Sequence, residues 1–77
     1  MSKDNINPDH YKMGSIECID AIESSMSVDE FMGYLKGNAL KYLWRYRHKN
    51  GKEDLNKAIW YTKKLESIYE KHIWRIK

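Results

Sequence analysis

Cationic and aromatic side chains alternate through the middle of this chain, in the segment from Gly37 to Tyr61. Lysine and arginine bind phosphate oxygens, and the flat faces of tryptophan and tyrosine stack on nucleobases. A segment that offers both contacts is typical of proteins that bind a nucleotide or a nucleic acid. The residue types therefore predict a ligand that carries phosphate and an aromatic base, and they leave open whether it reacts.

Four polar residues share one face of the predicted middle helix, because spacings of three and four residues stack side chains above one another. They are Asn38, Lys41, Arg45 and His48. We expect Arg45 to bind a phosphate with its forked guanidinium group and Lys41 to add a point charge. The alternative is an ordinary solvated helix face.

The next helix, if it runs antiparallel, brings Glu53, Lys57 and Trp60 towards that face. Lys57 then adds a second point charge, and Trp60 or Trp44 gives a plane for stacking a base. The alternative is an ion pair between Glu53 and Lys57 within their own helix. The predicted nucleotide-binding residues are Tyr11, Asn38, Lys41, Trp44, Arg45, His48, Lys57 and Trp60.

Three carboxylates, Glu17, Asp20 and Glu23, lie three residues apart on one face of the first predicted helix. Carboxylate oxygens are hard ligands that suit Mg²⁺, which in turn binds phosphates. If the protein is an enzyme, we expect Glu17, Asp20 and Glu53 to hold Mg²⁺ beside the phosphates; otherwise no cofactor is expected. The alternative is a solvated acidic face, or a partner for the basic half of the chain.

His10 lies in the segment Asp9-His10-Tyr11, near the start of the chain. An imidazole titrates near neutral pH, so His10 is the candidate catalytic residue, as an acid, a base or a phosphate donor. The alternative is that His10 and Tyr11 only anchor the arm to the helices. Cys18, which lacks an evident activating base, is expected in the core.

The pattern of apolar residues predicts an all-α fold with a short N-terminal helix, a long antiparallel helical hairpin and an extended arm. The arm covers residues 1–15, and a single helical domain covers residues 16–77. The first helix is expected from about Ile16 to Met26, with Ser15 as its N-cap. Ser27 and Glu30 form a capping box that starts the second helix.

Glycines mark the predicted interruptions of the hairpin. Gly37-Asn38 predicts a kink or break, and a glycine at position 37 would also let a ligand or another backbone come close. The helix is then expected to continue to about Lys49. Gly51 is predicted to be the left-handed residue that ends it, and the last helix is expected to begin near Lys52.

The last helix carries an apolar stripe with heptad-like spacing. Its members are Leu55, Ile59, Thr62, Leu65, Tyr69, Ile73 and Ile76. The helix is longer than the rest of so short a chain can cover, and a small core needs additional stabilisation. We therefore expect a homo-oligomer that assembles through this stripe.

The composition excludes several classes of protein. One cysteine among 77 residues allows no internal disulfide. No apolar stretch is long enough to span a membrane, so a soluble protein of the cytoplasm is expected, without a membrane partner. The net charge is −4 over residues 1–38 and +7 over residues 39–77, which favours anionic partners. There is no GxxxxGK[ST] motif, and hence no P-loop.

Several blocks of sequence resemble a small tailed-phage family whose members are often labelled phage nucleotide kinase or protein of unknown function. The blocks are Pro8-Asp9-His10-Tyr11-Lys12, Gly14 to Ile22, Gly37 to Tyr46, Lys49-Asn50-Gly51, Glu53-Asp54-Leu55 and Lys57 to Tyr61. The family name rests on larger members that act on deoxynucleoside monophosphates without a P-loop. The resemblance implies a shared nucleotide-binding module and, in a host cell, a location in the cytoplasm.

Three functions remain open at this point. The first is a nucleotide-binding protein that transfers phosphate as a deoxynucleoside monophosphate kinase. The second is a sponge that sequesters a nucleotide signal of host immunity without changing it, an anti-defence role that a phage origin admits. The third, less favoured, is a nucleic-acid-binding protein, which would need a continuous exposed track such as Lys52, Lys57, Lys63 and Lys64.

Overall fold

The computed structural model describes the backbone of residues 12–13 and 16–76, and the side chains of residues 16–73. A two-residue strand β1 (Lys12–Met13) pairs antiparallel with β2 (Ile16–Glu17). Three helices follow, α1 (Cys18–Ser24), α2 (Val28–Arg45) and α3 (Lys52–Ile76). The predicted all-α fold is thereby confirmed, with a short first helix and a long hairpin made of α2 and α3.

The first helix differs from its prediction at the N-terminus. It begins at Cys18 rather than Ile16, and its N-cap is Glu17, not Ser15. The reason is that the backbones of Ile16 and Glu17 are extended and pair with Met13 and Lys12. The expected arm therefore contains a short strand; the other arm residues lie outside the described part of the chain.

The second helix starts after Ser27, as predicted, and continues without a break to Arg45. Ser27 Oγ accepts the backbone N–H of Glu30, and the Glu30 carboxylate accepts the N–H of Ser27, which confirms the capping box. The predicted break at Gly37-Asn38 is wrong. Asn38 Nδ2 donates to the Tyr34 carbonyl oxygen at 3.0 Å, inside the same helix, and buried residues on either side hold the helix straight through. An added Cβ at Gly37 would meet nothing within 4 Å, so no close approach occurs there.

The turn between α2 and α3 spans residues 46–51, because α2 ends at Arg45 rather than near Lys49. Gly51 has the predicted left-handed conformation, with φ of 50°. Its N–H donates to the Tyr46 carbonyl oxygen at 2.9 Å, which closes the turn. The third helix then begins at Lys52, as predicted, and has one non-helical residue, His72.

The core lies between α2 and α3 and is covered on one side by α1. Phe31, Leu35 and Ile68 form its centre, and the partly buried Ile19 and Ile22 of α1 pack against them. The buried hydrophobic residues of the described part are Phe31, Leu35, Ala39, Ala58 and Ile68. So small a core leaves much apolar surface outside it. No helix in the described part of the chain has the length and apolar character needed to cross a bilayer.

Candidate functional site

A cavity of about 280 Å³ lies where the start of α1 approaches the facing sides of α2 and α3. It takes aromatic rings from both long helices, polar groups from α2, and apolar groups from α1. The lining residues are Glu17, Cys18, Ile19, Ile22, Tyr34, Asn38, Lys41, Tyr42, Trp60 and Tyr61. Three predicted nucleotide-binding residues are thus brought together here: Asn38, Lys41 and Trp60.

Asn38 is oriented by its own helix. Its Nδ2 donates to the carbonyl oxygen of Tyr34, one turn earlier. This bond uses one of the two N–H groups of the amide, so the other N–H and Oδ1 are the groups that Asn38 brings to the cavity. The side chain is partly buried, and its amide can both donate to and accept from a bound ligand.

The ring of Tyr42 lies among three cations. Lys41 Nζ, Arg45 Cζ and Lys57 Nζ lie 4.7, 4.9 and 5.2 Å from its centroid. Contacts of this length are within the range of cation–π attraction, which lowers the cost of holding like charges together. The result is a positively charged edge beside the cavity, centred on a residue that the sequence analysis did not single out.

Aromatic rings continue from Tyr42 into α3. Tyr42 stacks on Tyr61 with centroids 5.9 Å apart and planes at 13°. Tyr61 makes edge contacts with Trp60 at 5.0 Å and with Tyr34 at 6.3 Å. Because each ring fixes the next, the aromatic wall of the cavity is built before any ligand arrives. Tyr34 and Tyr42 each lie four residues from Asn38 and therefore share its helix face. That spacing could have identified both rings from the sequence.

Arg45 does not line the cavity, and its guanidinium group binds a carboxylate instead. Arg45 Nε donates to Asp54 Oδ2 at 3.2 Å, and Nη2 donates to Asp54 Oδ1 at 3.1 Å. The Asp54 side chain is fully buried, whereas that of Arg45 is 33% exposed. The fork predicted for a phosphate therefore has one edge engaged by an acid of the same chain.

Asp54 also accepts from the turn. The backbone N–H of Asn50 donates to Oδ2 at 3.1 Å, and Asn50 Nδ2 approaches Oδ1 at 3.5 Å. The hydrogen bond from Arg45 is the main cause that lowers the pKa of Asp54 below its ordinary value, and the same bond raises the pKa of Arg45. Both groups are consequently charged at neutral pH, and they tie the end of α2 to the start of α3.

Lys57 forms the ion pair that was the alternative to phosphate binding. Its Nζ lies 3.5 Å from Glu53 Oε2, one turn earlier on α3. Lys57 is not among the residues that line the cavity, although its ammonium group contributes to the charge around Tyr42. The partial burial of Lys57 and Lys64 also interrupts the exposed lysine track that a nucleic acid would need.

Two other predicted binding residues lie away from the cavity. Trp44 is 87% exposed and faces away from the core, and His48 is an exposed residue of the turn. Neither belongs to the cavity lining. Of the two candidate stacking planes, the structure places Trp60 at the cavity and Trp44 outside it. Tyr11 and the candidate catalytic residue His10 lie outside the described residues.

The candidate metal ligands are not gathered at one point. Glu17 lines the cavity, Asp20 is exposed on α1, and Glu53 contacts Lys57. Among residues 16–73, no group of three His, Cys, Asp or Glu side chains has the arrangement of a metal site. The Mg²⁺ site stays a prediction.

Cys18 corrects another expectation. It was predicted in the core, but it is exposed and lines the cavity at the start of α1. Ile19, Ile22 and Met26 form the inward face of α1, as predicted, and Cys18 lies outside that face at the first position of the helix. The remaining apolar wall comes from Ile19 and Ile22, which were predicted as core residues and serve both roles.

The chain is similar in sequence to two phage proteins. The chain is 35% identical over 77 residues to the gene 1.7 protein of Enterobacteria phage T3, an alignment that covers 94% of this chain and 45% of that protein. It is 40% identical over 70 residues to nucleotide kinase gp1.7 of Escherichia phage T7, covering 84% of this chain and 34% of that protein. The chain thus spans less than half the length of either relative.

No solved structure matches the chain with statistical significance. A family model does match, over residues 6–63, which is most of the chain and includes every cavity-lining residue. That model is DUF3310, described as a protein of unknown function. This protein therefore belongs to the DUF3310 family and is similar to proteins of phages T3 and T7.

Proposed function

We propose that the cavity between α1, α2 and α3 binds a nucleotide. The observation that carries the proposal is the combination, in one lining, of stacked aromatic rings with the ammonium group of Lys41 and the amide of Asn38. An apolar ligand would need neither polar group, and a simple inorganic anion would need no aromatic wall. A ligand with both a base and a phosphate uses the whole lining.

We assign the base and the phosphate of the ligand by the chemistry of the residues that line the cavity. The base lies against Trp60 and Tyr61, with Ile19 and Ile22 behind it, because stacking and burial favour a flat ring there. The phosphate lies at Lys41, beside the charged edge around Tyr42. Arg45 acts mainly by holding the hairpin in register and adds its field from a distance.

The size of the cavity favours one nucleotide over a strand. Its volume of about 280 Å³ is close to the lower end of the range of roughly 300–1,000 Å³ that is usual for small-molecule sites. A single-stranded nucleic acid would need an open groove with several stacking positions. The relative from phage T7, named a nucleotide kinase, supports a nucleotide as the class of ligand.

The ligand can be identified without choosing candidates beforehand. We expect that heat denaturation of the purified protein releases a nucleotide, which mass spectrometry of the supernatant detects. Lys41→Ala should lose this nucleotide, whereas Lys63→Ala removes the same charge from an exposed position on α3 and should keep it. If released material is absent and no added nucleotide protects Cys18 from alkylation, the cavity is not a nucleotide site.

Whether the nucleotide is transferred or only held is a separate question. Incubation with ATP and a deoxynucleoside monophosphate, followed by chromatography, measures turnover directly. A kinase-like activity yields the diphosphate, and dependence on Mg²⁺ is tested by adding EDTA and by Asp20→Asn. A sponge returns the bound nucleotide intact and binds it equally well after both treatments.

A further inference from the structure

We propose that the side of the α2–α3 hairpin opposite the cavity binds a second copy of this chain, in an antiparallel two-fold arrangement. This surface, termed the bare face, carries Leu40 and Leu43 of α2 and Ile59, Tyr69 and Ile73 of α3. Their exposed fractions are 55%, 48%, 53%, 38% and 37%. The proposal does not depend on nucleotide binding, because the cavity lies on the other side of the hairpin.

The spacing of these residues makes the bare face continuous. On α2, Gly33, Lys36, Leu40 and Leu43 are three or four residues apart, and on α3 so are Ile59, Thr62, Glu66, Tyr69 and Ile73. Between the two rows lies a groove of about 540 Å³. Gly33 lies in its wall, where an added Cβ would meet nothing, so the groove is open to a knob from outside.

The area of the face fits an occupant as large as another hairpin. Eighteen residues of α2 extend for about 27 Å at 1.5 Å per residue. Two helices side by side, each about 10 Å wide, then present roughly 540 Å². Two such faces bury about 1,100 Å², which is enough for a specific interface of modest size.

The small core gives the physical reason for pairing. In the described part of the chain only five hydrophobic residues are buried, so little apolar area is removed from water. The first helix, α1, covers only one side of the hairpin. Large aliphatic side chains left half-exposed on the other side gain free energy when a second apolar surface covers them. A second copy presents the same apolar residues, so a single two-fold contact covers the bare face of both chains.

Charge at the two ends of the hairpin selects the antiparallel arrangement. Asp29 and Glu66 line the groove towards the start of α2, with one cation, Lys36, nearer the middle of that helix. Arg47 and Lys52 are exposed at the opposite end. A two-fold axis that lies in the plane between the two bare faces, perpendicular to the helices, sets the acidic end of one copy against the basic end of the other. A parallel arrangement would set like charges together.

The assembly is tested by sedimentation of the wild type and of matched substitutions. We expect the wild type to sediment at a multiple of 9.3 kDa at micromolar concentration. Leu40→Asp and Ile59→Asp should each weaken association by roughly ten-fold or more, because an unpaired charge is then buried. Ile16→Asp, at an equally exposed apolar position outside the bare face, should not. A monomeric wild type, or equal effects of all three substitutions, would overturn the proposal.

The orientation is tested with variants that leave the apolar rows intact. Asp29→Cys and Arg47→Cys, each in a Cys18→Ser background, are mixed and treated with a short bismaleimide. The antiparallel arrangement yields cross-linked dimers in the mixture and far fewer in either variant alone. Efficient self-linking of each variant, with none gained on mixing, contradicts the arrangement, and neither variant changes an apolar residue of the bare face.

Discussion

Arg45 and Asp54 join the last residue of α2 to the first turn of α3 through two hydrogen bonds of 3.2 and 3.1 Å. The carboxylate is fully buried, and the guanidinium group also lies 4.9 Å from the ring of Tyr42. The pair therefore links the turn of the hairpin to the aromatic wall of the cavity. It makes Asp54 a structural residue and fixes the helix register on which the candidate site depends.

Acid should destabilise the protein through Asp54. Its pKa is lowered in the folded state, so the folded protein binds this proton less readily than the unfolded chain. This contribution to stability is present above the ordinary carboxyl pKa of 3.8 and is lost as the pH falls through the lower folded value. Urea unfolding of Asp54→Asn and wild type should therefore show a difference that is constant near neutral pH and shrinks below pH 3.8.

Glu70→Gln serves as the control for that experiment, because Glu70 is exposed on α3. At neutral pH it should change the free energy of unfolding by less than about 0.5 kcal/mol. If Asp54→Asn is as stable as Glu70→Gln at neutral pH, the buried pair does not stabilise the hairpin.

Arg45→Lys keeps the charge and removes the fork. A lysine cannot replace the two parallel hydrogen bonds from Nε and Nη2, so we expect a lower Tm in thermal unfolding. Because the Asp54-facing edge is already engaged, the fold should be affected more than nucleotide affinity. If Arg45→Lys has an unchanged Tm and no longer binds the nucleotide, Arg45 contacts the nucleotide directly.

The capping box should contribute to stability independently of the site. Ser27→Ala removes the acceptor of the Glu30 N–H and should lower the free energy of unfolding by about 0.5–2 kcal/mol. Ser67→Ala is the comparison, since Ser67 only donates to the Lys64 carbonyl oxygen within α3. Chemical denaturation in which both substitutions have the same small effect would show that the box is dispensable.

The two tryptophans at which stacking was predicted can be separated by fluorescence. Trp60 lines the cavity and contacts Tyr61, whereas Trp44 is exposed away from it. We expect a titrated nucleotide to quench the wild type and Trp44→Phe alike, and to lose most of this effect in Trp60→Phe. The reverse pattern would place the base outside the cavity.

Local patterns in the sequence were sufficient for much of the fold. The capping box at Ser27 and the left-handed Gly51 act within a few residues, and both were predicted correctly. The predicted break at Gly37-Asn38 was wrong. Asn38 donates to a carbonyl oxygen of its own helix, and Leu35 and Ala39 on either side are buried in the core. The predicted start of α1 was wrong because Ile16 and Glu17 pair with β1. Helical periodicity in the sequence does not reveal such a strand contact.

The candidate site was predicted in part, since its register depends on tertiary contacts. Adjacent acids Glu53 and Asp54 both begin α3, and sequence alone did not decide which one faces Arg45. Glu53 was expected on that face; Asp54 makes the contact, and Glu53 pairs with Lys57. Because Asp54 faces Arg45, the guanidinium group of Arg45 binds this carboxylate and does not line the cavity. Asn38, Lys41 and Trp60 do line it.

Nucleotide binding at the cavity is tested by calorimetric titration of the wild type with mono-, tri- and cyclic nucleotides, with Lys41→Ala and Lys63→Ala measured in parallel. We expect at least one nucleotide to bind, Lys41→Ala to weaken it by about 1.5–3 kcal/mol, or roughly ten- to a hundred-fold, and Lys63→Ala to leave it unchanged. If no nucleotide binds the wild type, or if the two lysine variants bind equally well, the cavity is not the nucleotide site.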